Sequence, residues 1–482
     1  MSIVIILDCG ATNVRAIAVN NIGNIVASHY IKNETLQTGT FHVWDYQQIW
    51  GKMVKCCRSV TAQIHRQDIR AISVTTFGVD GAPFDVEGKQ IYPIISWKCS
   101  RTVAVMKQVE EELDRGELYK NNGIGNYSFN TLYKLKWLKD NEPEIYQKMD
   151  KFVFISSMIN QQLTGIFTTD RTMAGTSMLT ELASGDWHKS ILEYLALTEN
   201  HFPPMVNAGD VVGDVRSDIA FLLGVPINTP VISSGHDTQF ALFGSGAEEN
   251  QPFLSSGTWE ILMARSPRPT LREDYLKEGL TTELDSKQGT YNPAIQWLSS
   301  AVMEWVAKIF FSDVMNQDNK YAVMVMEGED APVGCNGTRF TPKFLLNQEQ
   351  HGEGAINGIS INTTRGEIYR SALEGLAYQL RNSLISLSYI SGFTADKLLV
   401  VGGGSKNALW NQIRADVLGI PIHIVDQAES TVMGAAMYAF SGAGVYASAN
   451  EAQRKMQPTY TVVKPSSNQK LYEKYILEGE NA

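Results

Sequence analysis

A turn near the N-terminus carries residue types that could bind phosphate groups. Gly10 leaves backbone N–H groups open to phosphate oxygens. Side-chain donors are added by Thr12, Asn13 and Arg15. Asp8, which ends the preceding apolar run, could hold a metal ion through water. Taken alone, these residues favour an ordinary hairpin turn rich in Gly and Asn.

A similar turn, Ser256-Gly257-Thr258, occurs in the second half of the chain. Each turn lies between two short apolar runs, so a strand–turn–strand pattern with Gly and a hydroxyl appears twice. Such a repeat favours a duplicated chain with two similar lobes, although a short match can arise by coincidence. Because two turns can grip one polyphosphate from both sides, the pair favours phosphate binding.

A third segment, Gly235-His236-Asp237-Thr238-Gln239, follows the apolar run 230–232. Its carboxylate, Asp237, could be a general base, a metal ligand or the cap of the next helix. For an isolated Asp in such a place, capping is the commoner role. His236 has no partner at a catalytic spacing, which favours a structural role.

The glycines Gly402, Gly403 and Gly404 follow the apolar run 398–401 and precede a helical pattern near Asn407. A Gly-rich turn between strand and helix can bring the backbone close to a nucleotide. The segment fails the dinucleotide pattern G-x-G-x-x-G, because Asn407 occupies the last glycine position. No G-x-x-x-x-G-K-[ST] occurs, which excludes a P-loop enzyme. Packing against adenosine and a plain strand-to-helix turn both stay open.

The elements around these residues can be predicted from apolar spacing. Residues 3–31 predict an antiparallel meander of three strands, and 47–65 predict an amphipathic helix. A further strand is expected at 69–75, running into Phe77-Gly78-Val79-Asp80. The polar stretch 244–252 predicts a lobe junction. The segment 312–350 is not assigned, and the last 40 or so residues predict a packed helix or a mobile tail.

Bulk composition limits the classes of function. The chain has 482 residues, is 44% hydrophobic and has a net charge of −10, which disfavours nonspecific binding to nucleic acid or anionic membrane. Its five cysteines include no CxxC pair, a pattern typical of free thiols in a reducing compartment. The first apolar run ends at Asp8 and has no basic residues before it, so it predicts a strand and not a signal peptide. No run reaches the ~18 apolar residues of a membrane helix. We expect a cytoplasmic protein.

Several segments, in order along the chain, resemble the FGGY carbohydrate kinases, relatives of actin and hexokinase. The segment 129–141, Phe-Asn-Thr-Leu-Tyr-Lys-Leu-Lys-Trp-Leu-Lys-Asp-Asn, resembles the family's first signature along its whole length. Residues 8–13 and 256–259 resemble its two phosphate motifs, and 402–407 its adenosine motif. Further segments that resemble the family are 357–359, 363–365 and 372–375. These segments cover about residues 8–440 of the chain.

The resemblance implies an α/β fold of two actin-like (ribonuclease H-like) lobes with a cleft between them. The N-terminal lobe, 1–246, would hold the sugar site, the first phosphate motif and the catalytic Asp. The C-terminal lobe, 247–482, would hold the second phosphate motif and the adenosine site. The implied cofactors are ATP and Mg²⁺ or another divalent cation.

The resemblance also implies residue roles. Asp237 matches the catalytic base, and Asp8 and Asp237 are expected to hold the metal through water. The expected sugar contacts are Asp80, Trp97, Phe129 and Asp237. The expected ATP-binding residues are Asp8, Gly10, Thr12, Asn13, Arg15, Gly257, Thr258, Gln296, Gly402, Gly403, Gly404 and Asn407.

Within the family, the segments 75–82, 96–99 and 235–241 are most similar to the branch that phosphorylates L-fuculose at its 1-hydroxyl. Rhamnulokinases share several segments but usually carry Ala-Ser where this chain has Gln239-Phe240. A rhamnulokinase or another ketose kinase is therefore the alternative. From another class, a catalytically silent sugar- or nucleotide-binding regulator is disfavoured, because Asp8, Asp237 and both turn threonines are present. The sequence does not give the oligomeric state, and a homodimer stays open.

Overall fold

The computed structural model describes residues 1–267, 271–344, 354–426 and 429–480. Strands and helices alternate through these residues as a mixed α/β fold.

The strands of the described residues are β1 (Ile3–Cys9), β2 (Asn13–Asn20), β3 (Ile25–Lys32), β4 (Leu36–Thr38), β5 (Phe41–Trp44), β6 (Ile69–Thr76), β7 (Gly81–Phe84), β8 (Ile94–Ile95), β9 (Lys151–Phe154), β10 (Thr169–Asp170), β11 (Met205–Val206), β12 (Val211–Asp214), β13 (Pro230–Ile232), β14 (Pro252–Ser256), β15 (Trp259–Ala264), β16 (Leu280–Leu284), β17 (Tyr291–Leu298), β18 (Arg339–Thr341), β19 (Ala355–Asn357), β20 (Leu398–Val401), β21 (Ile422–Val425) and β22 (Tyr460–Val463).

The α-helices are α1 (Tyr46–Thr61), α2 (Val103–Glu112), α3 (Arg115–Asn122), α4 (Thr131–Asn141), α5 (Pro143–Lys148), α6 (Ile155–Thr164), α7 (Arg171–Gly175), α8 (Lys189–Tyr194), α9 (Ser217–Leu223), α10 (Asp237–Gly244), α11 (Glu273–Lys277), α12 (Ser300–Phe310), α13 (Lys320–Asp330), α14 (Arg365–Ser391), α15 (Ala408–Leu418), α16 (Ser430–Gly442), α17 (Ala449–Lys455) and α18 (Gln469–Glu480). Short 3₁₀ helices lie at Arg66–Asp68, Ser100–Thr102, Glu199–His201, Cys335–Gly337 and Gly403–Lys406.

The chain divides into two compact units. Unit 1 comprises residues 1–246, 271–292 and 429–458, and unit 2 comprises 247–270, 293–428 and 459–482. The contiguous lobes predicted from the sequence, 1–246 and 247–482, differ from this division. The difference arises because later segments return to unit 1, where α16 buries its apolar side chains.

The central sheet of unit 1 has the strand order β12-β13-β6-β1-β2-β3. β1 pairs antiparallel with β2 and parallel with β6, and β2 pairs antiparallel with β3, so the predicted meander is confirmed. Side chains alternate between the faces of a strand. Accordingly Ile3, Ile5 and Leu7 lie in the core beside α1, while Val4 and Ile6 lie in the core beside α16. A continuous apolar run is needed because helices cover both faces.

The sheet of unit 2 repeats this plan. Its strands run in the order β17-β15-β14-β20-β21-β22. The hairpin β14–β15 lies beside the parallel strand β20, as the hairpin β1–β2 lies beside β6. Each sheet also ends in an antiparallel strand, β12 or β22. The strand–turn–strand pattern noted twice in the sequence thus corresponds to the same position in two sheets of like topology.

The segments left open from the sequence also form regular structure. Residues 312–344 include α13 and β18, while 345–350 lie outside the described residues. The C-terminal segment forms α18, whose Tyr472 is buried and donates a hydrogen bond to Glu374. No helix in the described part of the chain has the length and apolar character needed to cross a membrane.

Candidate active site

Asp8 is the penultimate residue of β1 and is held by two neighbours. One carboxylate oxygen accepts hydrogen bonds from Arg15 at 2.8 and 2.7 Å, and the other accepts from Thr75 Oγ at 2.9 Å. Arg15 faces Asp8 across the β1–β2 hairpin and also contacts Glu429 at 2.6 Å. Burial lowers the pKa of Arg15, but Asp8 and Glu429 outweigh it and raise the pKa above its ordinary value. The guanidinium therefore stays charged and orients Asp8. Glu429 was not identified from the sequence.

The turn after Asp8 is closed tightly. Gly10 N–H donates to the Asn13 carbonyl at 2.9 Å, and Asn33 donates from its side chain to the Gly10 carbonyl at 3.0 Å. Thr12 is exposed, while Gly10 and Asn13 are half-buried. The Thr12 hydroxyl is therefore open to a ligand.

Asp237 is the first residue of α10, and the cap position belongs to His236. One carboxylate oxygen accepts from the Thr238 N–H at 2.7 Å, and the side chain is 34% exposed. Burial raises the pKa of Asp237; His236 opposes the increase and Asp8 adds to it. Asp237 is thus a reachable carboxylate with increased basicity, and it does not occupy the capping position.

His236 has a partner that the sequence did not suggest. Its Nε2 lies 3.6 Å from Asp237 Oδ1, and its Nδ1 lies 3.3 Å from Glu283 Oε2 on β16. Glu283 also accepts hydrogen bonds from Thr176 at 2.7 Å and from Gln239. Burial lowers the pKa of His236, but the carboxylates, Glu283 foremost, outweigh it and raise the pKa. A charged network therefore supports the segment that carries Asp237.

A buried carboxylate fixes the backbone just before Asp237. Asp170 accepts hydrogen bonds from Ser233 at 2.9 Å and from the N–H of Thr172 at 2.9 Å. Thr172 Oγ in turn accepts from the His236 N–H at 2.9 Å. A Cβ on Gly235 would lie 2.3 Å from Asp170 Oδ1, so only glycine fits there.

The predicted sugar contacts lie together in unit 1 but differ in accessibility. Trp97 is 36% exposed, and Phe129 meets it edge to face with ring centroids 6.5 Å apart. Tyr127 stacks on Phe129 at 5.1 Å. Asp80, by contrast, is fully buried. The loop before Asp80 approaches the base segment, because a Cβ on Gly78 would lie 2.8 Å from His236 Nε2.

In unit 2, the structure brings the second turn and the glycine segment together. A Cβ on Gly402, whose φ is 94°, would lie 2.4 Å from the Ser256 carbonyl oxygen. A Cβ on Gly404 would lie 2.1 Å from Ser256 Oγ, whereas Gly403 faces open space. Thr258, two residues after Ser256, is exposed. The glycines therefore allow two backbone segments to pack closely.

Two further predicted nucleotide residues have defined positions in unit 2. Asn407 caps α15 by accepting from the Trp410 N–H at 3.0 Å, and its amide donates to Tyr369 at 2.8 Å. Gln296 lies on β17, half-buried, opposite Ile261. The side chain of Asn407 is thus already used within the protein.

A buried ion pair lies beneath the second turn and was missed from the sequence. Arg414 pairs with Glu260, and both side chains are at most 1% exposed. Arg414 also donates to Ser256 Oγ at 2.8 Å, and Glu260 accepts from Trp297 at 2.9 Å. The ion pair therefore fixes the side chain of Ser256, which also packs against Gly402 and Gly404.

Asp8 and Asp237 are the carboxylates of unit 1 that were expected to hold Mg²⁺ through water. The described residues contain no cluster of three or more His, Cys, Asp or Glu side chains that could ligate a metal ion directly. Burial raises the pKa of Asp237, and the charge of Asp8 adds to the increase. A hard cation held through water would relieve that repulsion, so these oxygen donors fit Mg²⁺.

Comparison with known proteins identifies the class. The model of the FGGY family of carbohydrate kinases, N-terminal domain, matches residues 3–244, and the C-terminal domain model matches 253–443. The chain therefore belongs to the FGGY family of carbohydrate kinases, and it is a carbohydrate kinase with that family's two-domain, actin-like fold. The fold agrees with a crystal structure of xylulose kinase from Rhodospirillum rubrum, with a TM-score of 0.89, 22% identity, and coverage of 99% of this chain and 97% of that one.

The sequence comparisons are more specific. The chain is 53% identical over 476 residues to L-fuculokinase of Haemophilus influenzae, covering 97% of this chain and 100% of that protein. It is 45% identical to L-fuculokinase of Escherichia coli K12, covering 98% and 99%. A rhamnulokinase of Ligilactobacillus salivarius is 27% identical over 413 residues, covering 85% and 83%.

Proposed function

We propose that this chain transfers the γ-phosphoryl group of ATP to the 1-hydroxyl of L-fuculose, giving L-fuculose 1-phosphate and ADP. The observation that carries the proposal is the 53% identity, over nearly the full chain, with an L-fuculokinase. The rhamnulokinase alternative has less support, since identity to that relative is 27%.

Asp237 is the proposed general base. Its carboxylate accepts the proton of the 1-hydroxyl as the sugar oxygen bonds to the γ-phosphorus, and the bond from that phosphorus to the oxygen of ADP breaks. The side chain is one-third exposed, and its raised pKa increases its affinity for a proton. The contacts from Thr238 leave the other carboxylate oxygen, Oδ2, to face the sugar.

The remaining roles follow the predicted sites. Thr12 and Asn13 in unit 1, and Thr258 in unit 2, are proposed to donate hydrogen bonds to ATP phosphates. The N–H groups of Gly10 and Gly257 already donate within their own turns, so these glycines are proposed to let the phosphates approach the backbone closely. Arg15 contributes by orienting Asp8 as well as by its charge. Asp8 and Asp237 would hold Mg²⁺ through water, and the cation would neutralise phosphate charge. The proposed adenosine residues are Gln296, Gly402, Gly403, Gly404 and Asn407.

Trp97 and Phe129 are proposed to orient the sugar. The exposed Trp97 ring suits the C–H side of a ketose, and the half-buried Phe129 meets it edge to face. Asp80 was expected to accept from sugar hydroxyls, but its side chain is fully buried.

The test is a substrate panel. ADP release from Mg-ATP is measured with L-fuculose, L-rhamnulose, D-xylulose, D-ribulose, glycerol and a blank without sugar. We expect the highest kcat/KM with L-fuculose. A higher value with another ketose would refute the substrate and keep the kinase class.

A further inference from the structure

Asp80 is surrounded by donors from three other parts of unit 1. Its Oδ2 accepts from the Trp44 indole at 2.7 Å and from the Trp97 N–H at 3.1 Å. Its Oδ1 pairs with the ammonium group of Lys134 on α4. The side chains of Asp80 and Lys134 are 0% and 2% exposed. Asp80 therefore has no surface that a sugar could reach in this arrangement.

The residue before Asp80 has a strained backbone. Val79 has a φ of 61°, a conformation that β-branched residues rarely adopt. The N–H of Asp80 bonds to the Gly78 carbonyl at 2.9 Å, which closes a γ-turn of the rarer hand. Such strain persists only where neighbouring groups hold the backbone in place.

The groups that hold this turn come from α4. The Val79 carbonyl accepts from Thr131 Oγ at 2.9 Å and from Lys134 Nζ at 3.0 Å. Lys134 thus binds the strained peptide and the Asp80 carboxylate at once. The turn places Gly78 against His236, beside the proposed base.

The Asp80–Lys134 pair also connects to Trp97, whose ring is exposed. Asp80 fixes the backbone of Trp97, and Trp44, its other donor, stacks on Phe77 at 4.9 Å. A buried ion pair rarely adds net stability over apolar residues of the same size, because both charges lose their hydration. This one connects β5, the 77–80 loop, the 96–97 segment and α4 at a single point.

We propose that Asp80 and Lys134 are positioning residues that act on the sugar through Trp97 and the Gly78–Val79 turn, and that Asp80 does not touch the sugar. The inference rests on the proposed kinase function and revises the contact expected for Asp80. It predicts that the sugar site responds to charge balance between the two residues, and not to the Asp80 carboxylate itself.

The experiment is a double-mutant cycle of Asp80→Asn, Lys134→Met and the double variant. Each single variant leaves one buried charge without its partner. In the double variant, the Asn carbonyl oxygen can still accept from Trp44 and Trp97, and no unpaired charge remains. Lys120→Met, at an exposed lysine of α3, is the matched control.

We measure KM for the sugar, KM for Mg-ATP, kcat and thermal unfolding. The sugar is whichever ketose the wild-type chain prefers in the panel, so a wrong substrate is detected separately from a wrong inference. We expect each single variant to lose about 100-fold in kcat/KM for the sugar, as displaced binding groups do. KM for Mg-ATP should stay within about twofold, because only the sugar side is displaced.

The activity and thermal stability of the double variant distinguish positioning by the pair from direct contact of Asp80 with the sugar. Recovery of kcat/KM to within about tenfold of wild type, together with recovered thermal stability, supports positioning by the pair. A double variant that folds with wild-type stability but stays as inactive as Asp80→Asn would overturn the proposal, since Asp80 would then contact the sugar directly. If a single variant fails to fold, comparison of the double variant with wild type still gives the answer.

Discussion

A glycine between two helices should control the position of Asp237, the proposed general base. α10, which starts at Asp237, packs against α16 in unit 1. A Cβ on Gly434 of α16 would lie 2.0 Å from the carbonyl oxygen of Phe240, in the first turn of α10. That distance is about 1.5 Å short of van der Waals contact, so Gly434→Ala must push the helices apart.

The stability lost through overpacking in Gly434→Ala can be separated from the gain in helix propensity by comparison with a second helical glycine. Gly51, within α1, has nothing within 4 Å of an added Cβ. Gly51→Ala should therefore stabilise the protein by up to about 1 kcal/mol, the usual gain for Ala over Gly in a helix. Gly434→Ala has the same intrinsic gain, but overpacking should reverse it and destabilise the protein by about 1–3 kcal/mol.

The assay is denaturant unfolding of both variants, with kcat measured on the folded protein. Since α10 carries Asp237, its displacement should lower kcat by about tenfold to 100-fold for Gly434→Ala and leave it unchanged for Gly51→Ala. If both variants gained stability equally and kept wild-type kcat, the argument that α16 sets the position of Asp237 would be refuted.

Two further predictions concern buried charges. Burial acts to raise the pKa of Glu283, but His236 and the hydrogen bonds to Glu283 lower it, while the pKa of His236 is raised. The stabilisation from Glu283 is lost as the pH falls below 4.5, the ordinary pKa of a Glu side chain. The stabilisation from His236 is lost as the pH rises above 6.5, the ordinary pKa of a His side chain. Thermal unfolding of wild type and Glu283→Gln should therefore differ most between these pH values; a difference that grows towards pH ~9 would contradict the pairing. For the second pair, Arg414→Met should cost about 3–5 kcal/mol in urea unfolding, and adding Glu260→Met should restore most of it, whereas purely additive losses would show that the charges do not interact.

Local patterns in the sequence predicted much of the fold. The apolar run that ends at Asp8 predicted a strand, which the structure confirms as β1, with core residues on both of its faces. The helix predicted at 47–65 occurs as Tyr46–Thr61, capped by Asp45. These features depend on residues that are close in sequence, so periodicity and turn chemistry were enough to find them.

Long-range partners could not be predicted in this way. The sequence patterns predicted a contiguous first lobe, 1–246, but not that α16 returns to unit 1 across most of the chain. Glu283 reaches His236 because segment 271–292 returns to unit 1, and Glu429 reaches Arg15 because segment 429–458 does so too. The pairing of Asp80 with Lys134 likewise requires the packing of α4 on the 77–80 loop. Contacts of this kind depend on tertiary topology, which no spacing within a segment reveals.

The measurement that tests the central claim most directly is formation of L-fuculose 1-phosphate by wild type and Asp237→Asn. Asp218→Asn, at an exposed carboxylate in the first turn of α9, is the matched control. We expect product with wild type and the control, and a kcat about 10²–10⁴-fold lower for Asp237→Asn with nearly unchanged binding of Mg-ATP. Near-normal turnover by a folded Asp237→Asn protein would contradict it.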